Sequence, residues 1–158
     1  MTTGFLASDL RRDEGLRLRA YPDAATKAEP WTIGYGHTGP EVRPGLVWSE
    51  DRAEAALASD IVRACALLDA HAPWWRTLDD ARQDVLANMA FNMGWLSPDR
   101  AHGLGTFTGA LAAIRAHDWA AAAEALLASA WAGRVGERAR RLSRQLLTGE
   151  RALAEEPA

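Results

Sequence analysis

Asp13-Glu14-Gly15-Leu16-Arg17-Leu18-Arg19-Ala20-Tyr21-Pro22-Asp23 is the stretch in which the periodicity of this chain changes. Upstream of it, Leu6, Leu10 and Glu14 lie four residues apart and share one face of a short helix over about Gly4 to Glu14. Gly15 stands where a helix C-cap glycine belongs. From Leu16 the period becomes two: Leu16, Leu18 and Ala20 alternate with Arg17, Arg19 and Tyr21, the pattern of a half-buried strand. Pro22-Asp23 opens a turn, and Trp31-Thr32-Ile33-Gly34-Tyr35-Gly36, β-branched and aromatic, returns as a second strand. After His37, the glycines and prolines of residues 38–48 predict loop or irregular strand.

Everything beyond Ser49 reads as helix. Ser49 is an N-cap with Glu50 and Asp51 behind it, and that helix runs to about Ala70, before Pro73. Asp79 or Asp80 caps the next, which ends at Gly94. A third covers Thr106 to Ala116 with Phe107, Leu111 and Ile114 as its stripe. Asp118 caps a fourth, Trp119 to Ala132. Gly136 separates it from an arginine-rich fifth, Glu137 to Leu147, closed by Gly149. The fold class is α+β. The expected division of a single domain over residues 1–158 is an N-terminal helix (1–15), a small β lobe (16–48), a helical lobe (49–149) and a frayed tail (150–158).

Composition bounds the function classes. A chain of 158 residues, 48% hydrophobic and 25% charged, is a folded domain rather than a disordered tail. Its single cysteine, Cys65, excludes an internal disulfide framework and a cysteine zinc site. The four histidines, His37, His71, His102 and His117, show no metal-ligand spacing, so no metal is expected. Nothing approaches the ~18 consecutive apolar residues of a membrane span. Residues 1–9 lack the basic start and apolar core of a signal peptide, so synthesis in the cytoplasm is expected. Net charge is −3, yet Arg134, Arg138, Arg140, Arg141, Arg144 and Arg151 crowd the C-terminal segment. That segment is either a surface for an anionic polymer or a solvated face with ion pairs back to the body.

Two carboxyl groups in unlike surroundings are what glycosidic cleavage requires. Glu14 sits on an apolar helix stripe, where burial raises a carboxyl pKa and suits it to donate a proton. Asp23, in a turn, is expected to stay wetter and ionised. With 21 acidic residues, such a pair is not distinctive by itself.

The surrounding residues make it so. Glu14-Gly15-Leu16, then Asp23, then Thr32-Ile33-Gly34-Tyr35-Gly36-His37 resembles the catalytic segment of the phage-type lysozymes, the endolysins of glycoside hydrolase family 24. The resemblance continues through Asn88-Met89-Ala90-Phe91-Asn92-Met93-Gly94, Phe107-Thr108-Gly109-Ala110-Leu111, Trp119 and Arg138-Ala139-Arg140-Arg141-Leu142, ending at Thr148-Gly149. It implies a small N-terminal β lobe and a larger C-terminal helical lobe with the active-site cleft between them. It also implies a muramidase that cleaves the β-1,4 bond between N-acetylmuramic acid and N-acetylglucosamine with inversion. Carried over, Glu14 is the proton donor, while Asp23 and Thr32 hold the attacking water or support the sugar cation. No cofactor is implied. The expected partner is the peptidoglycan glycan strand, bound by a monomer without membrane insertion, after release through a holin. Residues 24–31 make a longer turn than in the T-even members, which either shifts Asp23 or brings Glu29 toward the cleft.

Further candidates contact substrate in this reading. Trp31 and Trp95 offer stacking surfaces, whereas Trp119 and Trp131 suit the core, and Trp74 and Trp75 suit either. Tyr35 and His37 close the glycine-rich strand, His37 also reading as a loop support. Asn88 and Asn92 either line the cleft or are satisfied core amides. Arg138 and Arg141, on one face, either pair with Glu14 or grip acidic groups of the wall. Gly34 and Gly36 are expected to admit the sugar close to the backbone. Three other readings stand beside hydrolysis: a lytic transglycosylase on the same bond, a non-catalytic wall-binding module, and a nucleic-acid binder using the arginine segment.

Overall fold

A computed structural model describes residues 3–151. The order of elements is α1 (Thr3–Glu14), β1 (Arg17–Tyr21), β2 (Thr32–Gly34), β3 (His37–Thr38), α2 (Glu50–His71), α3 (Asp80–Met93), α4 (Thr108–Arg115), α5 (Trp119–Leu127), α6 (Ala130–Val135) and α7 (Glu137–Thr148). This is an α+β chain, a small sheet followed by helices. Two units divide it within α2: one holds Thr3–Ala64, the other Cys65 and the residues after it. Of the expected tail, residues 150–158, residues 152–158 lie outside the described residues.

In the first unit, the sheet is antiparallel in the order β1-β2-β3. Tyr21 opposes Thr32 and Arg17 opposes Gly34, so β1 carries extra residues and the ladder bulges. The expected strand Trp31 to Gly36 is cut short. Gly34 and Gly36 take positive φ, 66° and 73°, and the chain turns back so that His37 opposes Ile33. The expected two-stranded hairpin is therefore three-stranded. A further bridge, Arg19 to Val47, extends the other edge of β1. Ala20, Ile33, Val42, Trp48, Ala53 and Ala56 form the core beneath, with Leu18, Trp31, Tyr35 and Leu46 against it. Leu16, expected to point inward, is 39% exposed, because strand pairing begins only at Arg17.

In the second unit, α7 packs on α3, α5 and α6, and α4 on α5. Leu86, Met89, Leu126, Leu142 and Leu146 are fully buried at these contacts. Asp79 caps α3 through the Arg82 N–H, and Gly149 ends α7 in the left-handed conformation. The helix expected over Trp119 to Ala132 is two helices. Ser129 breaks it, its Oγ donating to the Leu126 carbonyl at 2.6 Å and accepting from the Ala132 N–H at 3.2 Å. The helix expected from Thr106 begins at Thr108, leaving Phe107 in its cap. Trp75 and Trp131 are core residues, and Trp75 donates to Asp69 at 2.8 Å. Trp119 is half-buried, with the Arg82 guanidinium 3.8 Å from its ring centre.

Candidate active site

Glu14 is the last residue of α1 and is half-buried. The Gly15 N–H closes the helix on the Arg11 carbonyl at 3.0 Å, and the left-handed φ of Gly15, 68°, swings the chain into β1. The turn between β2 and β3 then meets this carboxyl. A Cβ placed on Gly36 would lie 2.7 Å from Glu14 Oε2, so only glycine leaves the group its position. Gly34 serves a different neighbour. Its missing Cβ faces the Trp48 indole at 3.1 Å, so its close approach is to the core rather than to a sugar.

Thr32 opens β2. Ile33 points into the core, so Thr32 points to the other face, between its partners Tyr21 and Thr38. The Tyr21 phenol gathers the neighbourhood. Burial pushes its pKa up, the Arg17 cation opposes that, the Glu14 charge reinforces it, and a hydrogen bond with Thr32 opposes it. The Arg17 guanidinium lies 4.2 Å from the Tyr21 ring centre. Tyr21 thus senses both Glu14 and Thr32. The sequence motif alone gives Tyr21 no role; its register opposite Thr32 does.

Asp23 stands two residues beyond Tyr21, in the turn. Its Oδ1 accepts from the N–H groups of Ala25 and Thr26, at 3.0 and 2.9 Å. Those two bonds, Thr26 first, hold its carboxyl below the usual carboxylate range. The turn is closed by Asp23 N–H to the Ala28 carbonyl and Lys27 N–H to the Asp23 carbonyl. Lys27 takes a left-handed φ of 59° to allow it. Glu29, on the same turn, is exposed.

The remaining candidates of this unit are committed within it. Trp31 is half-buried against the sheet core. The Tyr35 hydroxyl donates to Glu54 Oε1 at 2.9 Å, and Glu54 pairs with Arg11 at 2.7 Å. Burial first, then Glu54, pushes the Tyr35 phenol up. His37 is buried, its Nδ1 2.7 Å from Asp60 Oδ2 and its Nε2 2.7 Å from Glu41 Oε1. Both ring nitrogens are engaged in holding the sheet to the loop and to α2.

In the helical unit, Asn88 Oδ1 accepts from Arg138 Nε at 2.9 Å, both side chains buried. Asn92 Oδ1 accepts from Trp131 Nε1 at 2.8 Å. Trp95 is stacked on His71, centroids 4.9 Å apart and planes 5° off parallel, and its indole lies against Gly105. Arg141 is half-buried on α7. A cavity of about 740 Å³ opens among Met93, Gly103, Phe107, Ala110, Trp131 and Arg134. Part of the arginine segment is tied to its own fold: Arg138 to Asn88, Arg140 to Glu137, and Arg151 to Asp84 at 2.8 Å. Among the described residues, no group of three or more His, Cys, Asp or Glu side chains could hold a metal ion. No described helix is long and apolar enough to cross a membrane.

Compared with known proteins, the chain matches the family described as phage lysozyme over residues 11–146. It is 32% identical over 169 residues to the pre-baseplate central spike protein Gp5 of Enterobacteria phage T4, covering 91% of this chain and 28% of that protein. It is 38% identical over 85 residues to an endolysin of Acyrthosiphon pisum secondary endosymbiont phage 1, covering 54% of each. An endolysin of Bacillus phage B103 is 36% identical over 81 residues, 51% of this chain and 30% of that protein. The matched stretches thus span between about a quarter and half the length of these relatives.

Proposed function

Since the chain belongs to the phage lysozyme family, we propose that it hydrolyses the β-1,4 bond between N-acetylmuramic acid and N-acetylglucosamine in peptidoglycan. The observation that carries this reading is the convergence of Glu14, Tyr21, Thr32 and Gly36 on one part of the β unit. Glu14 donates its proton to the leaving glycosidic oxygen. The Thr32 hydroxyl, able to donate and accept at once, holds the attacking water. Asp23, kept ionised by its turn, takes that water's proton or stabilises the sugar cation. The chemistry is acid–base throughout and asks for no cofactor. Inversion is the expected outcome and requires the two carboxyl groups roughly 6.5–9.5 Å apart in the working complex.

The ties of Arg138 to Asn88 and of Arg151 to Asp84 take two of these cations out of any nucleic-acid surface, which favours a glycan as partner. Delivery belongs to the same proposal: synthesis in the cytoplasm, release through a holin, and action as a monomer on the wall.

Digestion of purified peptidoglycan by the wild type and by Glu14→Gln, with products resolved by mass, tests the reaction. Reducing muropeptides from the wild type and none from the variant support it. Anhydro-muropeptides place the chain with the lytic transglycosylases. Retained binding to sacculi with no products from either protein leaves a wall-binding module.

A further inference from the structure

The turn of residues 24–31 has an internal bonding pattern of its own. Thr26 stands at its centre. Its main-chain N–H donates to Asp23 Oδ1 at 2.9 Å, its Oγ1 donates to the Glu29 carbonyl at 3.1 Å, and the same Oγ1 accepts from the Ala28 N–H at 3.2 Å. A single exposed hydroxyl therefore pins both the return of the turn and the N–H that grips the aspartate. Threonine suits this place because its branched Cβ restricts χ1, which limits the directions the hydroxyl can take. Apolar burial does not explain it, for every residue from Ala24 to Pro30 is exposed.

We propose that Thr26 is the positioning residue for Asp23, fixing the direction of that carboxylate through the turn of residues 24–31. The main-chain N–H groups of Ala25 and Thr26 both meet the Asp23 carboxylate at Oδ1, which holds that oxygen to the turn. Without the Oγ1 bonds, the peptide of Thr26 loses its fixed orientation and its N–H leaves Oδ1. The aspartate then swings between rotamers and is more readily protonated, since the same N–H and the Thr26 side chain are among the causes that favour its ionised form. The inference rests on Asp23 acting as the ionised carboxylate proposed above.

The test compares wild type, Thr26→Val, Thr26→Ser and Asp23→Asn. Valine keeps the shape and the β-branch but lacks the hydroxyl; serine restores it. The carboxyl carbon of Asp23 is followed by NMR through a pH titration, and kcat and KM on peptidoglycan are measured across the same range. In Thr26→Val the Asp23 titration and the acid limb of kcat both move to higher pH. Its kcat falls by roughly ten- to a hundredfold, the scale of a misplaced catalytic group, while KM and Tm hold and serine recovers the wild-type profile. An unmoved Asp23 titration in Thr26→Val overturns the inference. Full activity in Asp23→Asn overturns the role of Asp23 and the inference with it, a failure visible in that variant alone.

Discussion

Gly36 lies against the carboxyl of Glu14, so close that a methyl group on it would fall 2.7 Å from Oε2. Gly34, two residues earlier, lies against Trp48 instead. Both hold positive φ, yet their neighbours differ in kind: one is the carboxyl of a flexible acid, the other a ring held in the core.

That difference separates their variants. Gly36→Ala pays about 1–2 kcal/mol for a left-handed alanine and displaces the acid, so activity falls by roughly tenfold or more. Gly34→Ala carries the same strain and adds about 1–3 kcal/mol of overpacking against the indole. Urea denaturation and muropeptide release measured side by side decide it. Equal stability losses, or an intact activity in Gly36→Ala, would contradict the geometry.

His37 gives the β unit an acid-sensitive tie. The hydrogen bond from His37 is the main cause holding the Glu41 carboxyl below its ordinary value of 4.5. A depressed folded-state pKa contributes stability that is complete above the unfolded value and is lost as pH falls through the folded one. Wild type should therefore melt above Glu41→Gln near neutral pH, and the two curves should converge as pH drops below 4.5. Melting temperatures of both proteins across that window check the sign; a gap that widens with acid refutes it.

Asn88 and Asn92 differ in what they leave behind. Asn88→Leu deprives the buried Arg138 cation of an acceptor and costs about 2–3 kcal/mol. Asn92→Leu removes the acceptor of the Trp131 indole N–H, but Asn92 itself is exposed, so water can take its place and the cost is about 1 kcal/mol. Chemical denaturation ranks them. A fall in kcat at unchanged stability in Asn88→Leu would instead make Asn88 a substrate contact.

Ser129→Ala removes both the cap of α6 and the bond to the Leu126 carbonyl, at a cost of about 1 kcal/mol. Ser129→Asp retains a capping acceptor and should recover most of it. Melting temperatures of the pair provide the check.

Local periodicity was enough to place α1, β1 and most of the helices, because a helix face and a strand face repeat within a few residues. The arginine-rich helix from Glu137, ended by Gly149, was also legible. Glu14, Asp23 and Thr32 were singled out by resemblance, since 21 acidic residues offer many pairs of carboxyl groups. What those side chains meet was beyond local reading. A threonine followed by glycines reads as strand, and only pairing shows that the chain turns at Gly34 and Gly36 and brings one glycine to Glu14. Trp119 to Ala132 reads as one helix because alanine and tryptophan both propagate it; the break at Ser129 depends on one hydroxyl finding two backbone groups. Likewise Tyr21 became part of the site through register with Thr32, and Asp23 acquired its orientation from a turn whose bonds run between residues of little individual propensity. Periodicity is a property of neighbours along the chain, while register, turn closure and the choice of hydrogen-bond partner are decided by groups that meet only when the chain has folded.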